Sequence, residues 1–311
     1  MNNELSGYDT EAITYYSIEE AMKSPDEVKI LDLHFKDLAE IPSDVFRLKN
    51  LEQLLLWNNR LTSLPEEIGS LEKLRKLDAS GNKIEKLPDS ISQLKNLEIL
   101  VLSWNCISKL PDSIGSLKML RQFGLNHNYL RRLPDSIGEL ESLRELIASE
   151  NELEELPATI GKLKNLEKLR VPGNKLSSLP KEICELENLR KLEAQENTLT
   201  ELPTEIGKLA KLEKIRLYKN ILSALPESLT ELTNLRKLIL YENEIKSLPE
   251  SIGNLRNLTD FDASFNELEA LPASIANMHS LVLLNLRKNN LTGASIPVAL
   301  TSLKTAQVIL D

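Results

Sequence analysis

An α/β repeat solenoid is the fold class this sequence predicts, and three observations predict it. Asparagine recurs every 23 residues, at Asn59, Asn82, Asn105, Asn128, Asn151, Asn174, Asn197, Asn220, Asn243, Asn266 and Asn289. An alternating apolar pair such as Leu54-x-Leu56 precedes each of them. A Leu-Pro or Ile-Pro step stands at a fixed offset from Pro42 through Pro65 and Pro88 to Pro272. A period of this length marks an array in which each unit buries its apolar face only against its neighbours.

The unit from Leu48 to Ile68 shows why. In Leu54-x-Leu56 both leucines point inward and their neighbours outward, so the segment is a short strand. Asn59 then turns the chain, and its side-chain amide can satisfy backbone groups that no sheet partner reaches. Pro65 has no N–H to donate to a sheet and suits an outer, non-strand segment. The Glu-Glu-Ile-Gly-Ser-Leu that follows has helical spacing but length for only one or two turns, on the convex side. Twelve such units run from Val28 to Pro297.

This frame resembles the leucine-rich repeat family, specifically its 23-residue L-P-x-x-I type, as in intracellular Ras-group and many bacterial repeat proteins. The resemblance implies a right-handed curved solenoid with a parallel β-sheet on its concave side. It also implies use as a surface for holding a protein partner. Ala79, Ala148, Ala194 and Ala263 depart from the pattern by replacing the second strand leucine, so local packing should change there. Lys36 stands where the first unit should carry asparagine, and Pro297 falls two residues late.

Open ends of a solenoid need covering. Ser17-Ile18-Glu19-Glu20 reads as a capping box starting a helix from Ile18 to about Lys23, and Gln307 to Leu310 reads as a final strand. The expected organisation is a tail and capping helix over residues 1–27, with residues 1–10 loose. Twelve repeats follow over residues 28–297, and a C-terminal cap over residues 298–311.

Function is expected on the outward residues of the strands, which fall into four columns; the second repeat contributes Gln53, Leu55, Trp57 and Asn58. Aromatic residues are only 4% of the chain, yet both tryptophans, Trp57 and Trp104, fall in these columns with Phe35, Tyr218, Tyr241 and Phe265. Tyr218 and Tyr241 share one column in adjacent repeats, as do Trp104 and His127, so each pair should lie ~4.8 Å apart. Leu55, Val101 and Ile147 add aliphatic surface. Strand propensity alone also favours aromatics here, but an exposed apolar patch more often marks contact, with Trp and Tyr as anchors.

Charge divides the same surface. Repeats 7–10 carry Lys168, Arg170, Lys191, Lys214, Arg216, Lys219 and Lys237 against Glu193, Glu196 and Glu242, so seven minus three gives +4. Repeats 1–6 carry Lys76 against Asp32, Asp78, Glu145 and Glu150, giving −3. Like charges stacked across strands are unfavourable, so the lysine column suggests a use, such as an acidic segment laid over repeats 7–10; the alternative is a solvated face without a target.

Other chemistries find little support. A net charge of −9 opposes general binding to nucleic acid or anionic membrane. No stretch approaches the ~20 apolar residues of a membrane span. His34, His127 and His279 are too dispersed to share a metal, and Asp260 with Asp262 offers too few ligands. No phosphate loop or nucleophile elbow occurs. Cys106 and Cys184 stand ~16 Å apart at the strand spacing, too far for a disulfide. Free thiols, with no leader pattern in the first ten residues, place the chain in the cytoplasm. The expected function is thus a monomeric, non-catalytic scaffold without cofactor, binding a protein or peptide partner; the alternative is a self-associating structural solenoid.

Overall fold

The computed structural model describes residues 12–292, 300, 303 and 306–310. They form one open, curved sheet of fourteen parallel strands in strict sequence order. Three-residue strands run from Ile30–Asp32 and Gln53–Leu55 through to Leu283–Asn285, and each residue pairs with the one 23 positions on, as in Leu54↔Leu77. Function therefore inherits a lattice. Residues of one column meet across adjacent strands.

The inward leucines make a continuous core. Leu51, Leu54, Leu56, Leu61 and Ile68 of one repeat have no exposed surface, and their counterparts repeat this along the chain. Ala79, Ala148, Ala194 and Ala263 are also fully buried. On the convex side each proline leads into a short 3-10 segment, as at Glu66–Ser70. There the Ile68 N–H returns to the Pro65 carbonyl at 3.1 Å. Adjacent convex segments touch so closely that a Cβ on Gly115 would lie 2.6 Å from the Ser136 carbonyl oxygen.

The asparagine ladder explains the turns. The Oδ1 atom of Asn82 accepts the Leu61 N–H at 3.0 Å, and its Nδ2 donates to the Leu56 and Ala79 carbonyls, both at 3.0 Å. Asn105 repeats the set one unit on, with the same Ala79 carbonyl accepting its Nδ2 at 2.9 Å. Each such carbonyl thus joins two consecutive asparagines, and the ladder binds the repeats into one strip.

Both expected end elements occur within the described residues. Ser17 Oγ accepts the Glu20 N–H at 3.2 Å and starts the helix Ile18–Ala21, shorter than the sequence suggests because a 3-10 turn at Pro25–Glu27 takes over. Ala21 is buried, and Ile18 and Met22 pack on the core. Ahead of the helix Thr14–Tyr15 adds an unforeseen strand against Ile30 and Leu31. At the other end Gln307–Ile309 pairs with Leu283–Asn285. The loose tail expected over residues 1–10 and the late Pro297 lie outside the described residues.

Candidate concave interface

Outward residues emerge from the sheet in the expected columns, and three aromatic assemblies form on it. Trp104 and His127 stack with ring centroids 3.6 Å apart, and Tyr218 and Tyr241 stack at 4.4 Å with planes 8° apart. Both pairs match their shared columns. The third assembly is larger than the sequence reading anticipates. His34 stacks on Trp57 at 4.2 Å, and Phe35 meets the edge of Trp57 at 4.9 Å. Asp32 Oδ1 lies 2.5 Å from His34 Nδ1 and orients that ring. Trp104 is 61% and Phe35 65% exposed, high values for rings of this size. Phe265, also exposed, carries the Arg287 guanidinium 5.1 Å from its centroid. Leu55, Val101 and Ile147 are half-buried between these groups.

The tyrosine pair is partly desolvated. Burial pushes the Tyr241 hydroxyl up to about 12, helped by the adjacent Tyr218 and by Glu242 and Glu196. The Tyr241 phenol therefore stays neutral at physiological pH and acts as a hydrogen-bonding ring.

The basic half differs from the expectation. Lys168, Lys191, Lys214 and Lys237 do stand directly across from one another. However, carboxylates in and beside the column explain its tolerance without a ligand. Lys168 pairs with Glu145 at 3.7 Å, Lys214 with Glu193 at 2.8 Å and Lys237 with Asp260 at 3.3 Å. Lys191 makes no ion pair among the described residues. Glu193 also receives Arg170 at 2.9 Å and Arg216 at 3.6 Å. Burial alone would raise its pKa, but Lys214, Arg170 and Arg216 hold it below the ordinary carboxylate value. Lys219 pairs with Glu196 at 3.2 Å.

Three features of this surface escape the sequence reading. The residue just before each ladder asparagine has positive φ in every repeat, from Phe35 to Lys288, although only Gly81 and Gly173 are glycine. In the column just before the strands, charges of both signs pair across repeats: Arg75 with Glu98 at 2.6 Å, Arg144 with Glu167 at 3.2 Å and Arg190 with Glu213 at 2.5 Å. A second asparagine series, including Asn96, Asn165, Asn188 and Asn234, donates to the carbonyl 24 residues back at 2.7–2.8 Å. The last two were visible as residues recurring at the repeat length.

Isolated polar groups have structural roles. Asp262 accepts the Ser264 N–H at 3.0 Å and Asn285 Nδ2 at 3.1 Å, while Asp260 serves Lys237. Among the described residues no cluster of three or more His, Cys, Asp or Glu is placed to hold a metal ion. Cys106 and Cys184 are both free thiols. Burial, with Glu205 nearby, pushes the Cys184 thiol up to about 11, which makes it a poor nucleophile.

Comparison with known proteins fits this geometry. The family model described as leucine-rich repeat region matches residues 28–123, 112–195 and 137–242, and a second, leucine rich repeat, matches 234–255. No curated protein matches the chain. Among solved structures it is similar to a leucine-rich-repeat protein of Leptospira interrogans, with 26% identity over 96% of this chain and 99% of that one, and a TM-score of 0.69. It is also similar to the plant peptide hormone receptor RGFR1 in complex with RGF2, with 33% identity and a TM-score of 0.83. There the match covers 96% of this chain but 49% of the receptor chain. An internalin of Listeria monocytogenes shares the fold at 22% identity and a TM-score of 0.79, over 95% of this chain and 88% of that one. With matches to the region model running without a gap over residues 28–242, the chain belongs to the leucine-rich repeat family.

Proposed function

We propose that this chain is a non-catalytic scaffold that holds a protein or peptide partner along its concave sheet. The observation carrying this reading is the set of ring assemblies in register on that sheet, His34–Trp57–Phe35, Trp104–His127 and Tyr218–Tyr241, of which Phe35 and Trp104 are the most exposed and the other rings half-buried. Rings that lie open to solvent gain most from a partner that covers them. Support by similarity comes from the plant receptor, solved in complex with RGF2. The rings anchor the partner, while the cations around Glu193, namely Arg170, Lys191, Lys214 and Arg216, attract its acidic portion.

The chain acts as a monomer in this reading, in the reducing cytoplasm where two free thiols persist. The test is affinity capture with wild type and with the triple variant Trp57→Ala/Trp104→Ala/Tyr218→Ala. Partners recovered by the wild type should be lost from the variant, and their association with purified wild type should slow as salt rises. Identical recovery by both proteins would refute the reading. Light scattering showing a stable dimer would favour the self-associating alternative.

A further inference from the structure

The positive charge of repeats 7–10 is not spread along the lysine column. Glu145 compensates Lys168 at one end and Asp260 compensates Lys237 at the other. The surplus collects between them. Arg170, Lys214 and Arg216 share the single carboxylate of Glu193, and Lys191 stands beside them without an ion pair among the described residues. Four cations and one anion leave +3 on three neighbouring strands. The outer two strands are about 10 Å apart at the usual spacing.

Glu193 is 3% exposed, whereas the side chains of Arg170, Lys214 and Arg216 remain 43%, 19% and 39% exposed. The carboxylate therefore works from below, drawing the cations together. It uses few of their donors, since an arginine has about five N–H groups and a lysine about three. Register places Arg170 and Arg216 on either side of Glu193. Two guanidinium forks thus flank one point, with Lys191 and Lys214 alongside.

We propose that this cluster binds a phosphoryl monoester carried by a partner polypeptide, with Glu193 as the positioning residue for its cations. The proposal rests on the concave-face reading and gives the partner a specific chemistry. A phosphoryl group brings close to two negative charges and three acceptor oxygens into a small volume, which suits a compact surplus fringed by arginine forks. An extended acidic segment would instead be matched by surplus charge along the whole column, and both ends of that column are already neutralised.

The test uses the full chain and defined probes: inorganic phosphate, a short Gly/Ser peptide with one phosphoserine, its unphosphorylated form, and a peptide with consecutive glutamates. Labelled-peptide anisotropy reads affinity, and NMR of the arginine Nε–Hε groups reads the location. The phosphoserine peptide should bind and shift Arg170 and Arg216, and its unphosphorylated form should not. Lys191→Met, which removes a side chain without an ion-pair partner, should weaken binding about tenfold, the loss of one charge-assisted contact. Arg216→Met should do likewise, and Lys237→Met should change little.

Binding indifferent to phosphorylation would overturn the proposal. So would a glutamate peptide that binds as tightly and loses as much from Lys237→Met as from Lys191→Met. Arginine shifts with inorganic phosphate that the phosphopeptide cannot reproduce would mark a free-ion site and overturn the polypeptide source. Each failure is separable from failure of the scaffold reading, because capture through Trp57 and Trp104 is measured without these probes.

Discussion

Removing one rung from the middle of the asparagine ladder should cost far more than removing the last one. Asn174 Oδ1 accepts the Leu153 N–H at 2.9 Å, and its Nδ2 donates to the Ala148 and Val171 carbonyls, both at 3.0 Å. In Asn174→Ala the two carbonyls keep their other asparagine donors, Asn151 at 3.3 Å and Asn197 at 3.0 Å. The buried Leu153 N–H keeps nothing. Two weakened bonds at ~0.5–1.5 kcal/mol each and one orphaned buried donor at ~1–3 kcal/mol give a loss of about 3 kcal/mol. Asn289 closes the ladder and its bonds are only partly buried, so Asn289→Ala should cost about 1 kcal/mol. Urea unfolding followed by circular dichroism measures both, and hydrogen exchange at the Leu153 amide locates the effect. Asn174→Asp separates the roles, since it keeps the acceptor but turns an anion toward two carbonyls, and should be worse than alanine. Equal losses at Asn174 and Asn289, or a loss at Asn174 under ~0.5 kcal/mol, would refute the ladder as a source of stability.

Three further outcomes follow from particular contacts. Glu193→Gln should destabilise the chain by about 2 kcal/mol at neutral pH, less than a fully buried pair because its cations are partly exposed. The wild-type carboxylate has its pKa lowered by folding, so its contribution is complete above the ordinary carboxylate value near 4.5 and is lost as pH falls through the folded one. Stability curves of the two proteins should therefore converge in acid; a constant gap would exclude the ion pairs as its cause. Gly115→Ala, helpful in most extended or helical sites, should here cost about 2 kcal/mol by urea unfolding, because the new Cβ would lie 2.6 Å from the Ser136 carbonyl oxygen. Conversely, Glu242→Gly should stabilise by about 0.5–1 kcal/mol, as glycine relieves the strain of φ 55° at more than its entropic cost. An unchanged or lower midpoint there would argue against strain.

The fold was legible because its determinants repeat locally. Each asparagine serves backbone groups about one repeat back, so the 23-residue register of Asn59 to Asn289 states both the period and the hydrogen bonding. Ring pairs were legible for the same reason: Trp104 and His127 share a column, and column neighbours must touch. The charge count was equally correct, yet its meaning was not. Whether Lys214 faces solvent or Glu193 depends on rotamers reaching across to the adjacent strand, and no spacing rule records them. The column of like charges pointed to an extended acidic ligand, but its ends are satisfied by Glu145 and Asp260, residues of the repeats on either side of repeats 7–10.

The positive-φ column was the least legible, and it links fold to surface. After each strand the sheet hydrogen bonding continues three residues into the turn, as in Trp104 N–H to the Asn126 carbonyl at 2.7 Å and His127 N–H to the Ser149 carbonyl at 2.9 Å. Holding that bond while delivering the next asparagine to the ladder requires a left-handed residue. Glycine would meet the requirement without strain, and it does so at Gly81 and Gly173. At Gly81 an added Cβ would press on the Asn58 side-chain oxygen, which would have to turn aside. Elsewhere larger residues accept the strain, and they include Phe35, Trp104, His127 and Phe265, four of the rings on the concave face. The left-handed turn presents these side chains at the sheet margin, Phe35 against Trp57, Trp104 against His127 and Phe265 under the Arg287 guanidinium. The strain thus runs down the whole column, and at its four aromatic positions the asparagine ladder beside it supplies the rigidity that holds those rings in a conformation their own backbones disfavour.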